Sequence, residues 1–172
     1  YEAILYIREL AACGALLDER EVRNIHALVL RGIDRDNAGR YRRLPVMIAG
    51  SRHVPPQPWA VPKLMEDYGF WLVGESLNLH PVVRAAEAHE RLVTIHPFID
   101  GNGRTSRLVM NLILLANGYV IANIPGDTDS RLAYYDALEK ANLKADKTDF
   151  LCLIARHALQ GSRTLLERLG AP

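Results

Sequence analysis

The 172 residues are 49% hydrophobic and 24% charged, with 21 Lys+Arg against 20 Asp+Glu and a formal net charge of +1. This composition excludes a disordered chain and suffices for one domain with its own core, while the near balance of charge excludes a global field for nucleic acid or an anionic membrane. Cys13 and Cys152 lack a CxxC partner, and the longest apolar run, Leu108 to Ala116, falls short of the roughly 18 residues of a membrane span and is interrupted by Asn111.

The expected setting is reducing and cytoplasmic, with no nucleic acid and no membrane as partners. The chain opens at Tyr1 with an amphipathic stretch already under way, which reads as a fragment of a longer protein. Ile4, Ile7, Leu10 and Ala11 form one helical stripe ended by Gly14. Asp18 with Glu21 three residues later predicts a capping box for a second helix bearing Val22, Ile25 and Val29, closed by Gly32.

A loop follows from Ile33 to Gly39. Val46, Met47 and Ile48, a turn at Ala49 to Ser51, and Arg52 to Val54 then give the one hairpin candidate, kept at an edge by Pro45. Prolines between Pro55 and Pro62 lead into a helix through Leu64, Tyr68 and Trp71. His80-Pro81 predicts the start of a helix over Val82 to Ile95, stopped by Pro97. Arg104 to Ala116 is too continuously apolar for a surface helix and reads as the buried central one. Asp127 or Asp129, and then Thr148 or Asp149, predict caps for two further helices, the last facing Leu151, Ile154 and Leu159 inward. The expected fold class is mostly α, a helical bundle around a buried central helix with one short β-hairpin flap.

The chemistry is concentrated in HPFIDGNGRTSR, from His96 to Arg107, between the proline-stopped helix and the central one. Gly101 and Gly103 permit positive φ on either side of Asn102, so successive N–H groups can converge as an anion nest opening onto a helix N-terminus. Arg104 and Arg107 share a face of that first turn, where two cations are unfavourable unless an anion fills the gap. Asp100 beside phosphate suits Mg²⁺, and His96 supplies a base titrating near neutrality. Together they describe transfer of a phosphate ester from a bound nucleotide to a hydroxyl.

Competing motifs fail: a Walker A loop would need glycine at Phe98 and lysine at Arg104, the dinucleotide fingerprint lacks its third glycine, and His89-Glu90 meets Val93 where a zinc protease has its second histidine. His89 reads as structural, Phe98 as a core anchor, and His26, His53, His80 and His157 as surface or capping residues.

The window resembles the signature of the Fic family, His-x-Phe-x-Asp/Glu-Gly-Asn-Gly-Arg-x-x-Arg, at every specified position, and the similarity runs from about residue 37 to 158. It extends through AGRYRRLPVMIAG, HVPPQP, LHPVVRAAEAHERLVTIHPF, LVMNLILLANGY and SRLAYYDALEKAN, and is especially close to the branch that includes the animal endoplasmic-reticulum adenylyltransferase. The resemblance implies a single Fic domain over residues 1–172 that transfers AMP from ATP to a Ser, Thr or Tyr hydroxyl of a target protein. It implies His96 as general base, Asp100 as the Mg²⁺ ligand, Gly101, Asn102 and Gly103 around the α-phosphate, and Arg104 and Arg107 on the outer phosphates. It also implies adenine near Tyr134, Tyr135 and Asn142, and target docking by strand addition at Val46, Met47 and Ile48.

Family members often dimerise, so a homodimer is expected. Many carry an inhibitory Ser/Thr-x-x-x-Glu-Gly/Asn element whose glutamate blocks the second motif arginine, here Arg107. That pattern is found nowhere in the sequence, so an upstream segment or a separate antitoxin is its expected source. The alternatives weighed are phosphorylation or phosphocholination on the same scaffold, and a nucleotide-sensing interaction module without chemistry.

Overall fold

The computed structural model describes residues 2–170. Seven α-helices lie among them: α1 (Glu2–Cys13), α2 (Glu19–Val29), α3 (Val61–Val73), α4 (Pro81–Ile95), α5 (Asn102–Ala116), α6 (Thr128–Lys144) and α7 (Thr148–Arg168), with short 3₁₀ turns at Pro58–Ala60 and Glu75–Asn78. Among the described residues no helix is long and apolar enough to cross a membrane.

Helix α5 is the centre, as its apolar run dictates: Val109, Met110, Leu112, Ile113 and Leu114 are all buried. Burying one such side chain is worth about 1.5–3 kcal/mol, so α5 gathers its neighbours around it. It packs against α4, α1 and α2, while α7 closes the far side against α4 and α6. Asn111, the polar break in the run, is satisfied in the core: its Oδ1 accepts from Ala122 N (2.8 Å) and its Nδ2 donates to the Ala122 carbonyl (3.4 Å), tying the 119–124 segment to α5. A Cβ at Gly161 would lie 2.8 Å from Val120 Cγ2 and 2.9 Å from the Ile121 carbonyl, so only glycine lets α7 approach that segment so closely.

The helix starts follow their caps in part. Asp18 Oδ1 accepts from Glu21 N (2.9 Å), but Glu21 is turned to the Tyr6 hydroxyl (2.5 Å), so the box is half made. Asp127 caps α6 by accepting from Ser130 N, whereas α7 has no side-chain cap from Thr148 or Asp149. Ile154 is buried on α7, but Leu159 faces outward at 52% exposure.

The expected hairpin does not form. No β-strand occurs among the described residues, and 45–57 is extended chain with one turn, where Ser51 N donates to the Ile48 carbonyl (3.1 Å). Its donors are engaged elsewhere: Pro45 has none, Arg52 N donates to Glu139 Oε1 (3.0 Å) and His53 N to Ser51 Oγ (3.1 Å). These bonds hold the second limb toward α6 and its own turn and not toward residues 46–48.

Candidate active site

Helix α4 ends at His96, which adopts the left-handed conformation at φ 50°. Such a backbone costs a non-glycine residue about 1–2 kcal/mol and must be held by its surroundings. Arg42, only 4% exposed, holds it. Its Nε donates to the His96 carbonyl (2.7 Å), Nη1 to that of Leu44 (3.2 Å) and Nη2 to that of Pro56 (2.5 Å), and its backbone N–H donates to the Pro97 carbonyl (2.9 Å).

His96 Nδ1 lies 3.3 Å from the Val93 carbonyl, which fixes the proton on Nδ1 and leaves the lone pair on Nε2. Burial pushes the imidazole below its ordinary value; the Val93 and Asp100 contacts oppose this, while Arg42 and His53 add to it. At neutral pH the ring is therefore a free base.

The loop after His96 is braced from within. Phe98 is fully buried. The Asn102 side chain, also buried, accepts from Phe98 N (3.0 Å) and donates to the Phe98 carbonyl (2.8 Å), so its carboxamide pins the loop. The expected pair of positive-φ glycines reduces to one. Gly101 has φ 80°, and a Cβ there would lie 3.2 Å from the His26 ring, whereas Gly103 is helical, because α5 begins at Asn102, two residues earlier than the sequence pattern indicates.

The first backbone bond of that helix runs from Thr105 N to the Gly101 carbonyl (2.9 Å). The N–H groups of Asn102, Gly103 and Arg104 precede it and point out of the helix N-terminus, an anion site by construction. Arg104 pairs with Asp100 at 2.8 Å, while among the described residues Arg107 pairs with no carboxylate.

All of these border one cleft of about 580 Å³, lined by His96, Asp100 to Arg104 and Arg107 on one wall and by Tyr134, Tyr135, Leu138 and Asn142 of α6 on the other. The α6 residues come together as their spacing predicts. Tyr135 is 53% exposed, but Tyr134 is only 5% exposed and its hydroxyl lies 3.1 Å from His89 Nε2. Burial pushes the Tyr134 phenol up to about 12, against the pull of the Arg107 charge. His89 is fully buried, as expected of a structural residue, and burial with Arg107 nearby pushes it down to about 3. Of the expected flap residues, Ile48 lines the cleft with Ala49, Gly50 and Ser51, while Val46 and Met47 lie outside it and Met47 is 90% exposed.

Among the described residues no three His, Cys, Asp or Glu side chains cluster as a metal centre. Asp100, a single carboxylate 67% exposed beside the amides, fits the donor set of Mg²⁺ held chiefly by substrate phosphates.

Besides Arg42, four further residues contribute from outside the motif. His26 is buried, not on the surface: its Nε2 donates to the Asp100 carbonyl (3.0 Å) and its Nδ1 accepts from Gly39 N (2.9 Å). His53 Nε2 lies 2.9 Å from the Thr94 carbonyl, tying the 45–57 segment to α4. Arg52 and Glu139 form a two-pronged pair (3.1 Å each) from that segment to α6.

Comparison with known proteins agrees with the motif. The sequence model of the Fic/DOC family matches residues 16–114. A protein adenylyltransferase Fic from Drosophila grimshawi is 44% identical over 137 residues, covering 79% of this chain and 27% of that protein. Among solved structures, Fic-1 (residues 134–508) from C. elegans superposes with a TM-score of 0.83 at 29% identity, covering 98% of this chain and 50% of the other. A Fic family protein from Desulfovibrio desulfuricans G20 gives 0.74 at 31% identity, covering 95% and 51%. The chain thus spans about a quarter of the curated relative and half of each solved chain. With more than half of its length matched by the family's own pattern, the chain belongs to the Fic/DOC family.

Proposed function

We propose that the chain, as one Fic domain, transfers AMP from ATP to a Ser, Thr or Tyr hydroxyl of a target protein and releases pyrophosphate. One observation carries this reading: the His96 imidazole, three outward helix N–H groups and an arginine that among the described residues pairs with no carboxylate share one cleft. The Drosophila relative's name, protein adenylyltransferase Fic, supports the adenylyl group as the one transferred.

His96 Nε2 takes the proton of the target hydroxyl. The hydroxyl oxygen bonds to the α-phosphorus as the bond from that phosphorus to the α–β bridging oxygen breaks, and pyrophosphate leaves with the electron pair. The N–H groups of Asn102, Gly103 and Arg104 hold the α-phosphate oxygens as charge builds there, and Arg104 and Arg107 hold the outer phosphates. Asp100 would hold Mg²⁺, which when bound supplies charge neutralisation on the phosphates. The base lies along Tyr135, Leu138 and Asn142.

The target docks at residues 46–48, whose main chain is unpaired by any strand and therefore open to an extended segment. Arg107, free of carboxylates, is the group an inhibitory glutamate from upstream sequence or an antitoxin would block.

Incubation with ATP labelled at the α or the γ phosphorus, in the presence of lysate proteins, tests the reaction. AMP transfer leaves α label on protein and His96→Ala does not; γ label on protein would mean phosphoryl transfer instead.

A further inference from the structure

The wall of the cleft opposite the phosphate site carries the Asn142 carboxamide, near the end of α6, a side chain that can both donate to and accept from a base edge. Which way its carboxamide faces is decided behind it, by Thr94 in the last turn of α4. Thr94 Oγ1 lies 2.8 Å from the Glu90 carbonyl oxygen, 3.1 Å from Glu90 Oε1 and 2.5 Å from the atom placed as Asn142 Oδ1.

A hydroxyl has one proton to give. The Glu90 carbonyl and carboxylate only accept, and the other carboxylate oxygen is held by the Lys147 ammonium at 2.8 Å. With Glu90 only 5% exposed, no water shell is at hand to relieve an oxygen facing an oxygen. Once Thr94 gives its proton to Glu90, its remaining lone pair needs a donor. Asn142 supplies one only if its NH₂ faces Thr94. Exchange of the amide oxygen and nitrogen is the assignment such a network settles.

We propose that Thr94 is a positioning residue that turns the Asn142 oxygen, with the N–H beside it, toward the cleft and so selects adenine over guanine. This rests on the nucleotide reading above. An adjacent acceptor and donor match the amino group and ring nitrogen of adenine, the pairing that makes asparagine a bidentate reader of that base. Guanine presents two acceptors at its corresponding edge and would set its O6 against the Asn142 oxygen. With the carboxamide turned the other way, its NH₂ would face the cleft and suit guanine instead.

The test measures binding of ATP and of GTP, each with Mg²⁺, by calorimetry on the chain, on Thr94→Val and on Thr94→Ser. The chain is expected to prefer ATP by roughly tenfold or more, the lower part of the range for one bidentate contact. Thr94→Val, similar in shape but without the hydroxyl, frees the amide to turn and brings the ratio toward one, chiefly by tightening GTP; Thr94→Ser keeps the preference. An unchanged ratio in Thr94→Val, or equal weakening of both nucleotides, overturns the role of Thr94 while leaving the nucleotide site standing. Failure of the chain to bind either nucleotide removes that site and this proposal with it.

Discussion

The rings of His26 and Phe98 lie 3.6 Å apart and within 4° of parallel, one carried by α2 and the other by the loop between α4 and α5. His26 also donates to the Asp100 carbonyl and accepts from Gly39 N, so one side chain fastens the active-site loop to the scaffold by a ring face and both ring nitrogens. Replacement by phenylalanine keeps the stack but leaves the Gly39 N–H and Asp100 carbonyl without their partner. His26→Phe is expected to lose about 2 kcal/mol in urea unfolding. It is also expected to lower the turnover rate more than nucleotide affinity, because the loop that places His96 and Asp100 loosens. Unchanged stability and rate would remove this role.

The same histidine makes the fold sensitive to acid. Burial lowers the affinity of His26 for a proton below that of an ordinary histidine at 6.5, and burial with Arg107 lowers His89 further, to about 3. The unfolded chain therefore binds these protons first as pH falls, so stability is full above about pH 6.5 and declines below it. Urea midpoints at pH 7.5 and 5.5 check the sign: the midpoint is lower at 5.5, and His26→Phe shows a shallower decline.

His96, with its proton acceptance depressed by burial, acts as base in its neutral form. The kcat/KM for AMP transfer is expected to rise with pH and level off below 6.5, the ordinary imidazole value, and His96→Ala is expected to lower it by roughly 10²- to 10⁴-fold. A plateau reached only above pH 7 would point to another base.

Arg42 ties its own segment to the active-site loop and the proline stretch through four carbonyls, its side chain donating to those of His96, Leu44 and Pro56 and its backbone to that of Pro97. Hydrogen bonds to a charged donor contribute about 1.5–3 kcal/mol each, though not additively. Arg42→Ala is expected to cost about 3 kcal/mol in chemical denaturation. Arg42→Lys should recover less than half, because one ammonium lacks the planar fork that reaches all three carbonyls.

The Asp100 side chain is exposed, and asparagine keeps an oxygen to accept from Gly101 N as Asp100 Oδ1 does (2.6 Å), so Asp100→Asn is expected to keep the melting temperature within a degree or two of the parent. Chelation of Mg²⁺ should stop AMP transfer in the parent. Asp100→Asn should need much more Mg²⁺ to reach half its maximum rate. Identical Mg²⁺ titrations for the two chains would place the metal elsewhere.

The candidate site was legible where one short window brings together glycines, two arginines three apart, an acid and a histidine, all of which line the cleft. The central helix was legible from an apolar run broken only at Asn111, and the α6 wall from an eight-residue spacing. What stayed hidden depends on contacts distant in sequence. His26 has no ligand-spaced neighbour, so nothing local distinguishes a buried brace from a surface histidine. Arg42 stands among other arginines and gives no sign that its guanidinium will reach the carbonyls of the active-site loop. The hairpin failed for the converse reason: alternation and a glycine turn were present, but the second limb is held by Glu139 of α6 and by a local bond to Ser51 in place of the first limb. Gly103 shows how a two-residue shift in a helix start changes a nest from glycine geometry to helix-terminus geometry.

A crystal structure of the His96→Ala chain with ATP and Mg²⁺ tests the central claim most directly. The α-phosphate should lie on the N–H groups of Asn102 to Arg104 facing position 96, with the outer phosphates on Arg107 and the base against Tyr135 and Asn142. A nucleotide bound the other way round, with its γ-phosphate facing position 96, or an empty cleft at saturating nucleotide, would contradict it.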